Sequence, residues 1–307
     1  MATQHLHAAK LSATNCRVHG GLTVEGTQTN NGPIAINGSV SISGANNVNH
    51  SIRQVNRYYL DEYFLQRPGI NANMDQVSTV EVQRALNRNF EVIGTNATTA
   101  LCTFVGTRGG IELKTAGADQ DQTILLPHLD TGATAWTGCT WGTENSVEWE
   151  CSISTNAIDN QKVWAGLKLT NDQLIVTDAN QAYFKFQTDA TNSEAFTDFT
   201  KLHFIHSVGN TDYISQLPIT VAAATTYHLK IIIDASRKAS IFVDGVQYDV
   251  TTTAGSTGGT VVAAGTTPTA ALTNDIDFIP YIGIEAGAAA AEGLDVHYMC
   301  MNRLIFE

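Results

Sequence analysis

The sequence predicts an all-β protein, an antiparallel two-sheet jelly-roll sandwich preceded by a short β ladder arm and a small helical segment. Three observations carry that expectation. After about Phe90, apolar residues alternate in short runs with no helical period between them. The connections between those runs are built from Gly, Asn, Asp, Thr and Pro. Near the start of the chain, Gly returns every six residues.

The six-residue repeat lies in GGLTVEGTQTNNGPIAINGSVSISGANN, where Gly20, Gly26, Gly32, Gly38 and Gly44 punctuate the alternating pairs Leu22/Val24, Ile34/Ile36 and Val40/Ile42. Alternation specifies strand and periodic Gly specifies repeated tight turns, so residues 1–48 read as a β arm. Left-handed β-helix acyltransferases also use a hexapeptide, but with an aliphatic residue just before the small one. Here those positions are His19, Glu25, Asn31, Asn37 and Ser43, which argues against that family. So short a ladder cannot bury its apolar face alone. Leu22, Val24, Ile34, Ile36, Val40 and Ile42 are therefore the expected oligomer or docking contacts, a flexible polar tail being the alternative.

Residues 49–92 read as a helical linker. Ile52, Val55, Tyr59 and Tyr63 recur at helical spacing, Ser51 can cap the start and Pro68-Gly69 stops it, while Ser78-x-x-Glu81 opens a second segment as a capping box. Residues 93–307 then carry about a dozen strand-like runs, which fit a sandwich better than a closed barrel. The clearest is YHLKIIIDASRKASIFVDGVQY. Leu229, Ile231 and Ile233 share one face and His228, Lys230 and Asp234 the other. Ala239, Ile241 and Val243 repeat the alternation, and Asp244-Gly245 supplies a two-residue turn.

Only 15% of the 307 residues are charged, well below the roughly 25% usual for soluble proteins, which suits a protein working in a fixed assembly. The net charge of −12, with no basic cluster longer than a pair, argues against nucleic acid as a partner and against attraction to an anionic membrane. No apolar run resembles a signal-peptide core and none reaches 18 residues, so the expectation is a soluble protein made in a cytoplasm. The five cysteines, Cys16, Cys102, Cys139, Cys151 and Cys300, show no C-x-x-C and read as buried thiols, a Cys139–Cys151 disulfide being the alternative.

The strand H-L-x-I-x-I-D, a polar turn, A-x-I-x-V-D-G-V and the closing LDVHYMCMNRLIFE resemble concanavalin A-like and laminin-G-like sandwiches over roughly the last 150 residues. YYLDEYFLQRPGINAN, TRGGIELKTAGADQDQTILLPHLDTGATAWTG and WGTENSVEWEC resemble virion structural proteins of marine tailed bacteriophages, including cyanophage-like viruses. That second resemblance implies a virion protein made in the host cytoplasm, with the arm and the helical segment attached to head or tail and the sandwich facing outward.

Glycoside hydrolases occur on this sandwich, so Glu148 and Glu150 in SVEWECSIS must be weighed. They share a strand face about 6.6 Å apart, near the inverting separation of about 6.5–9.5 Å. The sandwich glucanases carry a longer acidic pattern, and Ser152 stands where its next acid belongs, so these two read as solvated strand charges. The laminin-G likeness implies Ca²⁺ as the one cofactor to consider, with Asp119, Asp121, Asp275 and Asp277 as oxygen ligands in turn-like segments. His203-x-x-His206 is no ligand pair, because strand positions three apart face opposite ways. Trp149 and Trp164 alternate into apolar strands as core, whereas Trp136 and Trp141 sit in Gly/Thr-rich loops as the glycan-stacking candidates. No nucleophile or phosphate-binding motif is present. The expected function is a non-enzymatic capsid decoration (cement) or head-fibre protein, a homotrimer contacting major capsid or other virion proteins. The alternative is a tail-fibre or receptor-binding protein recognising host glycans.

Overall fold

Backbone polarity and one-sided apolar alternation drive the chain from residue 57 onward into two stacked sheets. The computed structural model describes residues 56–70, 86–106, 109–127, 140–188 and 194–305. The chain divides into two units, 1–53 and 54–307, and the first, with the hexad positions Leu22, Val24, Ile34, Ile36, Val40 and Ile42, lies outside the described residues.

In chain order the strands are β1 (Arg57–Glu62), β2 (Arg67–Ile70), β3 (Leu86–Ile93), β4 (Cys102–Phe104), β5 (Ile111–Lys114), β6 (Gln122–Pro127), β7 (Trp141–Gly142), β8 (Glu148–Thr155) and β9 (Gln161–Lys168). There follow β10 (Gln181–Gln187), β11 (Lys201–Val208), β12 (Thr211–Thr220), β13 (Thr226–Ile233), β14 (Ala239–Val243), β15 (Val246–Tyr248), β16 (Thr260–Val261), β17 (Asp277–Ala286) and β18 (Gly293–Leu304). The first sheet runs β15-β14-β13-β8-β18-β5-β4, with β1 also on β18. The second runs β16-β12-β11-β10-β9-β17-β6-β3-β2, with β7 also on β17. All pairings are antiparallel except β12–β16 and β2–β3 at the edges of the second sheet. This is the expected two-sheet sandwich, and every strand-like run read from the sequence after residue 85 is a strand.

The two inner faces meet in one core. Trp149, Cys151, Ile231, Met299 and Met301 come from the first sheet, and Val163, Leu167, Phe184, Phe204 and Ile282 from the second. Each strand exposes alternate side chains to its two faces, so these residues sit at every second position. The meander β13-β14-β15 is built as its sequence dictates. Leu229, Ile231 and Ile233 are buried, and Asp244 (φ 51°) and Gly245 (φ 79°) both take the left-handed backbone that a type I′ hairpin turn requires.

The expected helix over 51–66 is corrected. Residues 57–62 form β1, paired antiparallel with β18 from Arg57↔Leu304 to Glu62↔Met299. RYYLDE also alternates, with Leu60 buried and Tyr58 packed on the core. An aromatic-rich segment suits a half-buried pleated surface, and the free edge of β18 captures it. The second expected helix is overturned at its end, where Leu86 begins β3. Residues 71–85 lie outside the described residues. The sandwich thus begins near residue 57 rather than at 93. Cys102, Cys151 and Cys300 are buried free thiols, so Cys151 is not in a disulfide; Cys16 and Cys139 lie outside the described residues.

Candidate functional site

The outer face of the first sheet carries partly exposed acids, bases and aromatic rings on neighbouring strands. Register sets Glu150 of β8 between Lys230 of β13 and Cys300 of β18, and Ser152 between His228 and Tyr298. Lys230 Nζ lies 3.3 Å from Glu148 and 3.4 Å from Glu150, and Arg57 Nη2 lies 3.6 Å from Glu148. Burial alone would lower the Lys230 ammonium, but Glu150 and Glu148 outweigh it and hold its pKa above the ordinary value. Glu148 and Glu150 do share one face, as expected, and both are tied to cations.

Tyr298 reaches this face through a slip in β18. Leu294 and Val296 point into the core, and so do Met299 and Met301, so inward positions change parity between 296 and 299. The ladder with β8 shifts between Val296 and Tyr298, a β-bulge that turns Tyr298 outward. Its ring centroid then lies 6.1 Å from His228, across the small Ser152, and 6.0 Å from Tyr63 beyond β1. A pocket of about 170 Å³ opens beside them, lined by Tyr298, His228, Phe242, Lys230, Glu150 and Gly245. From the sequence, His228 falls on the outward face without a role, and Tyr298 and Phe242 are not singled out. The signal was present in LDVHYMCM, whose apolar residues fall at 294 and 296 and then at 299 and 301.

The outer face of the second sheet is not a wet face. Lys162, Lys168 and Lys185 are each no more than 1% exposed, and Trp164, Tyr183 and Tyr281 are buried among them. Residues 172–178 and 194–199 lie over the strands and supply partners. Lys168 Nζ donates to the carbonyls of Asp172 (2.6 Å) and Leu174 (2.8 Å), with Asp178 at 3.6 Å. Lys185 Nζ donates to Gln173 Oε1 (2.9 Å) and carbonyl (2.8 Å) and pairs with Glu194, which also accepts from Ile175 N. Lys162 pairs with Glu285 at 2.6 Å. Burial lowers the Lys168 ammonium and brings Lys185 down to about 8 against the pull of Glu194, and it pushes the Tyr183 and Tyr281 phenols up. Gly283 makes room for Trp164, since a Cβ there would lie 2.5 Å from the indole ring. The layer amounts to a second, polar-aromatic core around Ile124, Ile175, Phe196, Ile205 and Ile279.

The two strand histidines separate as their spacing requires. His203 lies on the outer face, stacked on Phe196 at 4.0 Å, and His206 packs inward on Tyr213 at 4.5 Å. Burial lowers His203 to about 4 and His206 to about 3, so both are neutral at pH 7.

The four aspartates expected as Ca²⁺ ligands do not converge. Asp121 is buried and accepts from Asn96 Nδ2 and Ala118 N, both at 2.6 Å, while its carbonyl accepts from Ala286 N at the end of β17. Asp277 opens β17, nine residues earlier, which places the two ends about 30 Å apart at roughly 3.3 Å per strand residue. Asp119 is exposed beside Gln120, and Asp275 holds a left-handed turn whose N–H donates to Glu144. Among the described residues, no three His, Cys, Asp or Glu side chains are grouped to hold a metal ion. Trp141 is corrected as a glycan-stacking residue. It forms β7 against Phe278 of β17, is 1% exposed and packs on Tyr58 at 6.0 Å. Trp136 lies outside the described residues. Trp149 and Trp164 are both buried, as expected.

No protein-family model matches the chain, and no curated protein matches it in sequence. Among solved structures it is similar to a protein of unknown function from Shewanella oneidensis MR-1, at 8% identity over 81% of this chain and 87% of that one, with a TM-score of 0.46. It is also similar to alginate lyase AlgAT5 of polysaccharide lyase family 7 (8% identity, 71% and 95% covered, TM-score 0.43). A third likeness is to the potassium-bound carbohydrate recognition domain of Emp46p (9% identity, 75% and 94% covered, TM-score 0.42). At scores below one half these likenesses carry no argument about activity, and the sandwich stands on its own strand order.

Proposed function

We propose that the chain is a non-enzymatic bacteriophage virion structural protein, an oligomeric capsid decoration or head-fibre protein whose sandwich is displayed outward. The observation that supports this most is how the described acids are used. Glycoside hydrolysis needs one carboxyl that can hold a proton and a second free to act as base or nucleophile. Here Glu148 and Glu150 are clamped by Lys230 and Arg57, and Glu285, Asp178 and Glu194 are tied to buried lysines. Each of these carboxylates is engaged by a cation, and Glu150, the one that lines the shallow pocket, is engaged by Lys230. The bacteriophage assignment itself comes from the resemblance of YYLDEYFLQRPGINAN and the two segments after it. In this reading the hexad positions Leu22, Val24, Ile34, Ile36, Val40 and Ile42 supply the self-association that clamps neighbouring capsid subunits, most simply as a trimer.

A density map of the intact particle tests the reading by locating the chain and its copy number. Sedimentation of the purified chain is expected to give a trimer that binds particles lacking it, and Ile34→Asp/Ile36→Asp is expected to abolish both. A monomeric chain that neither sediments with particles nor appears in their density overturns it.

A further inference from the structure

The aromatic row on the outer face of the first sheet has no part in particle attachment through residues 1–48. Tyr63, Tyr298 and His228 form tilted neighbouring pairs with ring centroids 6.0 and 6.1 Å apart, roughly across the strands, and Phe242 lines the pocket that continues the row. Tyr63 is 41% exposed, His228 is exposed and Tyr298 and Phe242 are half-buried, so the row faces solvent. The bulge at His297 exists at the one place that turns Tyr298 from the core to this row. Bulges that re-aim a side chain concentrate at functional sites.

The chemistry of the rim narrows what the row can hold. Glu150 offers carboxylate oxygens and Lys230 offers N–H donors at the pocket edge, while Arg57 and Lys230 balance Glu148 and Glu150. Asp61, hydrogen-bonded with Cys300, and Asp244, which accepts from His228 N, add further negative charge to this face, so it does not select an anionic chain. It suits a ligand that is apolar on one face and ringed by hydroxyls that both donate and accept. A pyranose ring has that character, since its C–H face stacks on an aromatic ring while its hydroxyls reach the rim. About 170 Å³ is smaller than the roughly 300–1,000 Å³ of sites that enclose a whole small molecule. The pocket therefore takes one ring of a longer chain, and the remaining rings lie along the row.

We infer that this face binds a neutral polysaccharide chain, with Tyr298 and His228 as the central stacking platform, Tyr63 and Phe242 extending it, and Glu150 and Lys230 bonding its hydroxyls. The site lies wholly within residues 57–307 and does not rest on particle attachment, so either proposal can fail without the other.

The test is calorimetric titration of the soluble chain with cellohexaose, xylohexaose and maltohexaose, with a hexamer of galacturonate as the charged comparison. At least one neutral hexaose is expected to bind saturably, with a dissociation constant on the order of 10⁻⁴–10⁻³ M as befits a shallow, open face. Tyr298→Ala is expected to weaken binding about tenfold and His228→Ala severalfold, while Tyr298→Phe keeps it within about twofold. Because Tyr298 is half-buried, His228→Ala serves as the variant that leaves the fold intact, checked by far-UV circular dichroism. Three results overturn the inference: no saturable binding of any neutral hexaose at about 10 mM, binding that neither alanine variant changes, or tighter binding of the galacturonate hexamer than of every neutral one.

Discussion

The two buried histidines make acid stability the sharpest quantity to measure. His203 and His206 are 0% and 1% exposed, and burial lowers their pKa to about 4 and about 3 from an ordinary 6.5. The unfolded chain therefore binds more protons than the folded one between those values and 6.5, so stability rises with pH across that window and is lost as pH falls through it. Between pH 7 and 5 each unfolded histidine gains about 0.7 of a proton, while folded His203 gains about a tenth and folded His206 about a hundredth. The loss comes to about 2 kcal/mol per histidine and about 4 kcal/mol together. Carboxylates titrate lower in the same range, and Asp212, Glu292 and Asp295, all raised by burial, act with the opposite sign. A comparison with His203→Phe/His206→Phe cancels them. That variant keeps ring stacking on Phe196 and Tyr213 but cannot take up a proton. Urea unfolding at pH 7.0 and 5.0, followed by tryptophan fluorescence, is expected to show wild type losing about 4 kcal/mol more than the double variant. If both chains lose the same amount to within about 1 kcal/mol, the histidines are not buried neutral bases and the packing described around them is wrong.

Three further outcomes are expected. Lys162→Met should cost roughly 3–5 kcal/mol in urea unfolding, because it strands the buried Glu285, and Lys162→Met/Glu285→Leu should recover most of that loss. A single variant costing less than about 1 kcal/mol would mean that the pair is solvated. Gly283→Ala should cost about 1–3 kcal/mol and shift the emission of Trp164, whose ring occupies the space the methyl needs; unchanged emission and stability would contradict that contact. Gly245→Val should cost about 1–3 kcal/mol by thermal or urea melting, since a β-branched residue is strained at φ 79° in the I′ turn, and a neutral result would argue for a different turn.

What could be read from the sequence was whatever depends on two-residue alternation and on turn chemistry. Leu229, Ile231 and Ile233 announce a one-sided strand, and Asp244-Gly245 announces its turn, because both signals are local. Tyr58–Glu62 was misread as helix because four apolar positions happened to fit a 3.6-residue period, while its real partner, β18, lies some 240 residues away. Trp141 read as a loop residue for the same reason: two residues of strand are invisible until β17 is there to pair with them. The aspartate pairs read as ligands because a turn acid and a metal-binding acid look alike in sequence, and only the fold shows that Asp121 is spent on Asn96 and Ala118. The bulge in β18 was legible in principle, since a change of parity in the apolar positions is a local signal, and Tyr298 would have followed from it.

The two outer faces look alike in sequence and differ in the fold. Lys162, Gly166 and Lys168 recur at every second position of β9 much as His228 and Lys230 do on β13, with Trp164 the large apolar residue among them. They separate because the second sheet brings its own cover. Removing an ammonium group from water costs several kcal/mol unless it is paired and hydrogen-bonded. Asp178, Gln173 and Glu194, which satisfy Lys168 and Lys185, all sit on the segments lying over that face. The lysines and their cover therefore form one unit, each unfavourable without the other. Lys230 is one-third exposed and takes its partners, Glu148 and Glu150, from the neighbouring strand of its own sheet, so its face needs no cover to be stable. Among the described residues, that difference leaves the first sheet's outer face uncovered, and Tyr298 is where the backbone on that face departs from regular pairing.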